Sequence, residues 1–295
     1  MHRSCRKPHS RHICFVSLGG TIYLLVLMTS AMLLSVNEKD WKWAAEVLRA
    51  AERDCAQISP LSAVFPDMDV YDGYQIQLLN VRERLSEGRV IRGHKVGLTS
   101  VAMQQMLGVG EPDYGHLLDD MFVFEDSQVA VSQLCQPRIE CEIAFVLDGP
   151  LPSKGCNAAD VLRMTRYVMP AIEIIDSRIS NWEIGLPDTI ADNASSARVV
   201  LGGQATSVDQ IDLRSLTGTL IRNDDVIATG ESSAVLGNPV TAVAWLATKV
   251  QEFGVTLDTG HVILSGSCTR AFDVTAGDLV RAEFEILGGV SVQFT

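Results

Sequence analysis

The chain has 295 residues, 47% of them apolar and 20% charged, which suits one or two packed domains and excludes a disordered or fibrous chain. Its formal net charge of −12, from 24 basic and 36 acidic residues, repels a phosphate backbone and argues against nucleic-acid binding. An anionic substrate would then need local help, from a cationic side chain or a bound metal.

No charged residue occurs from Ile13 to Val36, and Arg3, Arg6, Lys7 and Arg11 precede that stretch. This is the pattern of a signal peptide or a membrane anchor, with Thr29-Ser30-Ala31 as a cleavage-like segment. Met28 and Met32 are alternative starts, and residues 1–36 read best as an extension upstream of the true start, because the rest has the texture of an intracellular enzyme. The seven cysteines (Cys5, Cys14, Cys55, Cys135, Cys141, Cys156 and Cys268) contain no C-x-x-C pair. They fit reduced thiols and a cytoplasmic location better than a disulfide framework or a zinc site.

Trp41, Ala44, Ala45, Val47 and Leu48 recur at helical spacing. A second helix is predicted from Val70 to Leu85, with Tyr71, Tyr74, Leu78, Val81 and Leu85 on one side and Gly88 ending it. Residues 37–89 are therefore read as a small helical lobe. From Val90 short β-branched runs alternate with Gly, Pro and Asp turns. Strands are predicted at 90–91, 94–98, 138–147, 171–175, 198–201, 216–222, 262–264, 279–284 and 290–294, and helices at 158–168 and 239–253. Runs of strands with segregated helices predict an α+β domain with a mostly antiparallel or mixed sheet over residues 90–295.

Within "QPRIECEIAFVL", Glu140 and Glu142 are two apart in a predicted strand, so both point to one face. Adjacent carboxylates repel unless water screens them or a cation binds them. The alternation Arg138, Glu140, Glu142 against Ile139, Cys141, Ile143 also describes an ordinary half-exposed strand. Glu173, in the apolar run "MPAIEIIDSR", is either exposed or held by a partner. Three carboxylates without nearby Cys or His pairs suit a hard cation, Mg²⁺ or Mn²⁺.

Lys95 in "GHKVGLTS" reads as a surface lysine or as a cation that grips a substrate carboxylate or moves a proton, and His94 faces the opposite way. In "EPDYGHLLDDM", Pro112 and Gly115 mark a turn that Asp113 caps or from which it reaches a site. Asp192, Asn193, Ser195 and Ser196 form a polar turn, a cap or a donor cluster for a carboxylate. "SGSCTRA" is a small-residue strand exit or pocket loop in which Gly266 allows close backbone approach.

In this order, "GHKVGLTS", "EPDYGHLLDDM", "PRIECEIAFVL", "MPAIEIIDSRI", "DTIADNASS" and "AVLGNPVTAVAWLA" together resemble the hydratase/decarboxylase branch of the fumarylacetoacetate hydrolase superfamily, from about Trp41 to the C-terminus. The resemblance implies a mixed β-roll or sandwich with a small helical N-terminal part. It implies a divalent metal, Mg²⁺ or Mn²⁺, on Glu140, Glu142 and Glu173. Lys95 and Asp113 are implied as catalytic residues, and Ser195 and Asn193 as substrate-binding ones. The implied reaction adds water to a 2-hydroxy-2,4-dienoate, the five-carbon acid or its six-carbon homologue, giving a 4-hydroxy-2-oxo acid during ring-cleavage catabolism. The alternative within the branch is decarboxylation of 4-oxalocrotonate, and an alternative of another class is a non-catalytic partner subunit. A homo-oligomer, pentamer or decamer, is implied too, with a downstream aldolase or a decarboxylase as a possible complex partner.

Overall fold

The computed structural model describes residues 14–18, 21–25, 36–100, 104–105 and 109–295. Thr29-Ser30-Ala31, Met28 and Met32 lie outside the described residues. Cys14–Leu18 (β1) and Thr21–Leu25 (β2) pair as an antiparallel hairpin. Among the described residues no helix is long and apolar enough to cross a membrane.

Helix α1, Glu38–Asp54, opens on a capping box between Asn37 and Asp40, and α3, Val70–Ser86, on one between Asp69 and Asp72. The short α2, Leu61–Val64, lies between them. Ala44, Ala45, Leu48, Leu61 and Ile76 form their shared core. Of the predicted α3 face, Tyr74, Leu78 and Val81 are buried, whereas Tyr71 and Leu85 are exposed. Trp41 donates from its indole to Asp72, tying α1 to the start of α3.

Two mixed sheets follow, which makes the fold α+β. The larger runs β4-β3-β12-β7-β8-β9-β5, and the short β13 also pairs with β7. These are Asp113–Leu118 (β4), Ile91–Gly97 (β3), Val262–Ser267 (β12), Pro137–Leu147 (β7), Thr165–Asp176 (β8), Ser196–Leu201 (β9), Phe122–Val123 (β5) and Phe272–Asp273 (β13). The smaller runs β11-β10-β14-β15-β6, from Asp225–Glu231, Thr217–Arg222, Leu279–Phe284, Gly288–Phe294 and Gln128–Val129. The main core joins one face of each sheet. Ile139, Cys141, Ile143 and Phe145 of β7 meet Leu220, Val280, Ala282, Val292 and Phe294.

Two predicted elements are corrected. The helix expected over 158–168 stops at Met164, and Thr165 begins the long strand β8. Thr165 turns its hydroxyl back onto the carbonyl of Val161 (2.7 Å), and the Tyr167-Val168 run pairs with Val146 and Phe145 of β7, so sheet pairing wins over the local helical pattern. The segment read as a turn around Asp113 and Gly115 is instead strand β4, every residue of it buried. Gly115 is needed there because a Cβ would stand 2.4 Å from the Asn193 carbonyl oxygen.

Candidate metal centre and active site

β7 and β8 are antiparallel neighbours in a register that sets Glu140 directly opposite Glu173. Glu142 is two residues from Glu140 on the same face, so one row step and one cross-strand step gather all three carboxylates. Each offers an oxygen within 4.8 Å of the others. The half-exposed strand is thereby excluded, since Glu142 and Glu173 are 1% and 0% exposed.

Two of the three carboxylates have specific supports. Ser196 Oγ donates to Glu173 Oε1 (2.8 Å), and the Gly266 amide donates to Glu142 Oε2 (2.8 Å). That amide is available because the β7–β12 register shifts between Leu264 and Ser267. Gly266 sits at φ +111°, where a Cβ would lie 2.3 Å from Thr99 Oγ1. Among the described residues, Glu142 Oε1 has no hydrogen-bond partner, and Glu173 Oε2 meets only the Lys95 ammonium, 3.3 Å away and poorly aligned for a hydrogen bond.

These buried groups repel one another. Burial foremost, with Glu173 and Asp113 adding to it and Lys95 opposing, pushes the Glu140 carboxyl up to about 7. Burial and the other two glutamates raise Glu142 well above the usual carboxylate range. Burial works to lower the Lys95 ammonium, but Glu173, Glu140, Asp113 and Glu142 together outweigh it and hold it charged. Oxygen-only donors, unpartnered and mutually repelling, fit a divalent hard cation.

Lys95 reaches this face across β12, and its Nζ donates to the Ala194 carbonyl at 3.0 Å. Asp113, paired with Gly97, is 1% exposed. Its Oδ2 accepts from Thr189 Oγ1 (3.2 Å), its Oδ1 has no partner, and burial raises its pKa. Asn193, Ala194 and Ser195 are consecutive left-handed residues, at φ +56°, +50° and +54°. Such backbone costs about 1–3 kcal/mol per residue and collects at functional sites. Here it aims the Ala194 carbonyl at Lys95 and leaves Ser195 Oγ buried without a partner.

Lys95, Asp113, Glu140 and Ser195 line one cavity of about 180 Å³, walled by Leu98, Ile175, Trp182, Ile184, Ala194 and Ala271. Asn193 is not brought to it. Its side chain exchanges two hydrogen bonds with the backbone of His116 (2.8 and 2.9 Å), continuing the edge of β4, and it faces a separate cleft with Arg178 and Asp192. Its amide is thus engaged with main chain outside that cavity. Trp182 and Ile184 also line the cavity and carry no motif of their own; Thr189, within "DTIADNASS", comes from the short helix Leu186–Ala191, and Arg270 from the "SGSCTRA" segment read as a strand exit or pocket loop, neither singled out by itself.

No protein-family model matches the chain. The 2-oxo-hept-4-ene-1,7-dioate hydratase of Escherichia coli is 41% identical over 256 residues, covering 85% of this chain and 96% of that protein. The 2-keto-4-pentenoate hydratase 1 of Dechloromonas aromatica (strain RCB) is 40% identical over 267 residues, covering 90% and 100%. The chain belongs to the 2-keto-4-pentenoate hydratase family. A solved relative in this branch of the fumarylacetoacetate hydrolase superfamily is the 4-oxalocrotonate decarboxylase of Pseudomonas putida G7, complexed with magnesium and adipate. It is 36% identical with a TM-score of 0.85, covering 88% of this chain and 99% of that one. The hydratase family fold is therefore present over nearly all of the chain from the helical lobe onward.

Proposed function

We propose that the chain is a divalent-metal-dependent hydro-lyase that adds water to a 2-hydroxy-2,4-dienoate, yielding a 4-hydroxy-2-oxo acid in ring-cleavage catabolism. The observation that carries this is the trio Glu140, Glu142 and Glu173 beside a buried acid, Asp113, whose Oδ1 has no partner among the described residues, in a chain of the hydratase family.

Glu140, Glu142 and Glu173 would hold Mg²⁺ or Mn²⁺, which when bound supplies Lewis acidity toward a 2-oxo acid. Lys95, kept charged by its carboxylate neighbours, binds the substrate carboxylate from the β3 side. Asp113, whose raised pKa suits a group that gives and takes protons, exchanges a proton at Oδ1 during ketonisation of the dienol and addition of water at carbon 4. Thr189 holds the other oxygen of Asp113 and so fixes the direction of Oδ1. Ser195 Oγ donates to a substrate oxygen. The apolar wall from Leu98 to Ile184 packs the alkene chain and excludes bulk water.

A homo-oligomer and a cytoplasmic location go with this reading. Sizing by light scattering tests the oligomer.

The function is tested by the ultraviolet absorbance of 2-hydroxypenta-2,4-dienoate, followed before and after EDTA and after Mg²⁺ or Mn²⁺ is restored, with the product identified. Metal-dependent loss of the dienol and formation of 4-hydroxy-2-oxopentanoate is the expected result. The solved decarboxylase at 36% identity favours one second reading. Carbon dioxide release from 4-oxalocrotonate, with no hydration of the five- or six-carbon dienoate, would establish that reading instead.

A further inference from the structure

The cavity opens beside a groove of about 360 Å³ lined by Arg138, Arg222, Arg270, Ala271, Phe272 and Asp273. Three guanidinium groups meet one carboxylate there. Arg138 Nε binds Asp273 Oδ1 (2.7 Å) and stacks 4.4 Å from the centroid of Trp182. Arg222 donates to the backbone carbonyl of Asp273 (3.0 Å). Arg270 lies 4.1 Å over the Phe272 ring, and among the described residues no carboxylate pairs with it. The mouth thus carries a local charge of about +2 in a chain of −12.

That excess is placed where it counters an electrostatic obstacle. Behind the mouth stand four carboxylates, Asp113, Glu140, Glu142 and Glu173, against one ammonium, Lys95. A small anion approaching such a protein is repelled until it passes within about a Debye length of a local positive source, about 10 Å at 0.1 M salt. We infer that Arg138, Arg222 and Arg270 form a cationic collar that gathers the anionic 2-oxo acid and speeds its entry, with Arg270, which no carboxylate pairs among the described residues, the charge to vary first. The inference rests on the proposed function only in requiring that the ligand be a small carboxylate anion. Arg138 is set by its pairing with Asp273 and its stacking on Trp182, so it also holds the indole against the cavity wall.

The test is stopped-flow binding of 2-oxopentanoate to the Mg²⁺-loaded protein, read by fluorescence of the cavity-lining Trp182 and needing no turnover. Arg270→Glu is expected to lower kon about tenfold at low ionic strength, and Arg270→Gln by roughly half that on a logarithmic scale, with both differences vanishing near 0.5 M salt. The control is Lys154→Glu, which changes the net charge as Arg270→Glu does. Lys154 follows the end of β7 at Leu147, which is roughly 30 Å of strand from Arg138, and the kon of Lys154→Glu should stay within about twofold of wild type. An equal loss in Lys154→Glu would overturn the collar in favour of net charge alone. A loss confined to koff would overturn it in favour of direct contact with the bound anion. Binding with kon indifferent to salt and to Arg270 overturns the collar and leaves the proposed function standing, whereas no binding of the anion under any condition overturns both.

Discussion

Replacing Glu142 by Gln separates the two demands on the carboxylate trio. The glutamine oxygen still accepts the Gly266 amide, and its NH₂ group can donate to Glu140 or Glu173, so little is lost but charge. Two unit charges 4.8 Å apart repel by about 3 kcal/mol at an effective dielectric constant of 20. Metal-free Glu142→Gln should therefore be more stable than metal-free wild type, with Tm higher by about 6 °C or more. The response to metal should invert. Wild type at 100 times its Kd gains about 3 kcal/mol from the ion. The variant should gain almost nothing, because even changes around a metal ligand cost about 10–100-fold in affinity and this one removes a ligand. Differential scanning fluorimetry with EDTA and with a Mg²⁺ or Mn²⁺ series reads both quantities. A metal-free variant less stable than wild type, or one that keeps the full metal shift, would refute the argument that these oxygens repel each other until a cation arrives.

Lys95→Met should leave the glutamates without their buried counter-charge, costing about 3–5 kcal/mol in the metal-free protein, and hydratase turnover should fall far more than stability in the metal-loaded one. Chemical denaturation and the ultraviolet assay check the two parts. Gly266→Ala should destabilise by about 1–3 kcal/mol through its positive φ and the contact with Thr99, and calorimetry should show weaker metal binding because the amide that holds Glu142 shifts. On the far face of β3 and β4, burial lowers His116 from 6.5 to about 4 and lowers His94 well below the ordinary range. The unfolded chain binds protons there that the folded chain refuses. His116 therefore contributes stability that is present above pH 6.5 and is lost as the pH falls to about 4, about 3 kcal/mol in all. The difference in unfolding free energy between wild type and His116→Asn should show this slope, because the opposing titration of the glutamates is common to both and cancels. A flat difference would exclude His116 as its source.

Strand periodicity alone puts Glu140 and Glu142 on one face and His94 opposite Lys95, because side chains alternate along any strand. The capped starts of α1 and α3 and the apolar rows of β7 follow from local chemistry in the same way. Whether the glutamate face meets solvent or a neighbouring layer is not a local property. Glu173 comes opposite Glu140 only through the β7–β8 register, and Lys95 reaches them only because β3 pairs in parallel with β12, a strand some 170 residues later. Asp113 read as a turn residue because Pro112 and Gly115 flank it, yet pairing with β3 makes the segment a strand and buries the acid. Asn193 offered the right functional group, and the tertiary structure spent it on the His116 backbone. The bend of Asn193, Ala194 and Ser195 into the left-handed region, without a glycine to signal it, is sustained only by the packing around it. Residue types and their periodicity decided which side chains were available for chemistry. Strand register, crossovers and strained loops, which depend on contacts between residues far apart in the chain, decided which of them share a cavity.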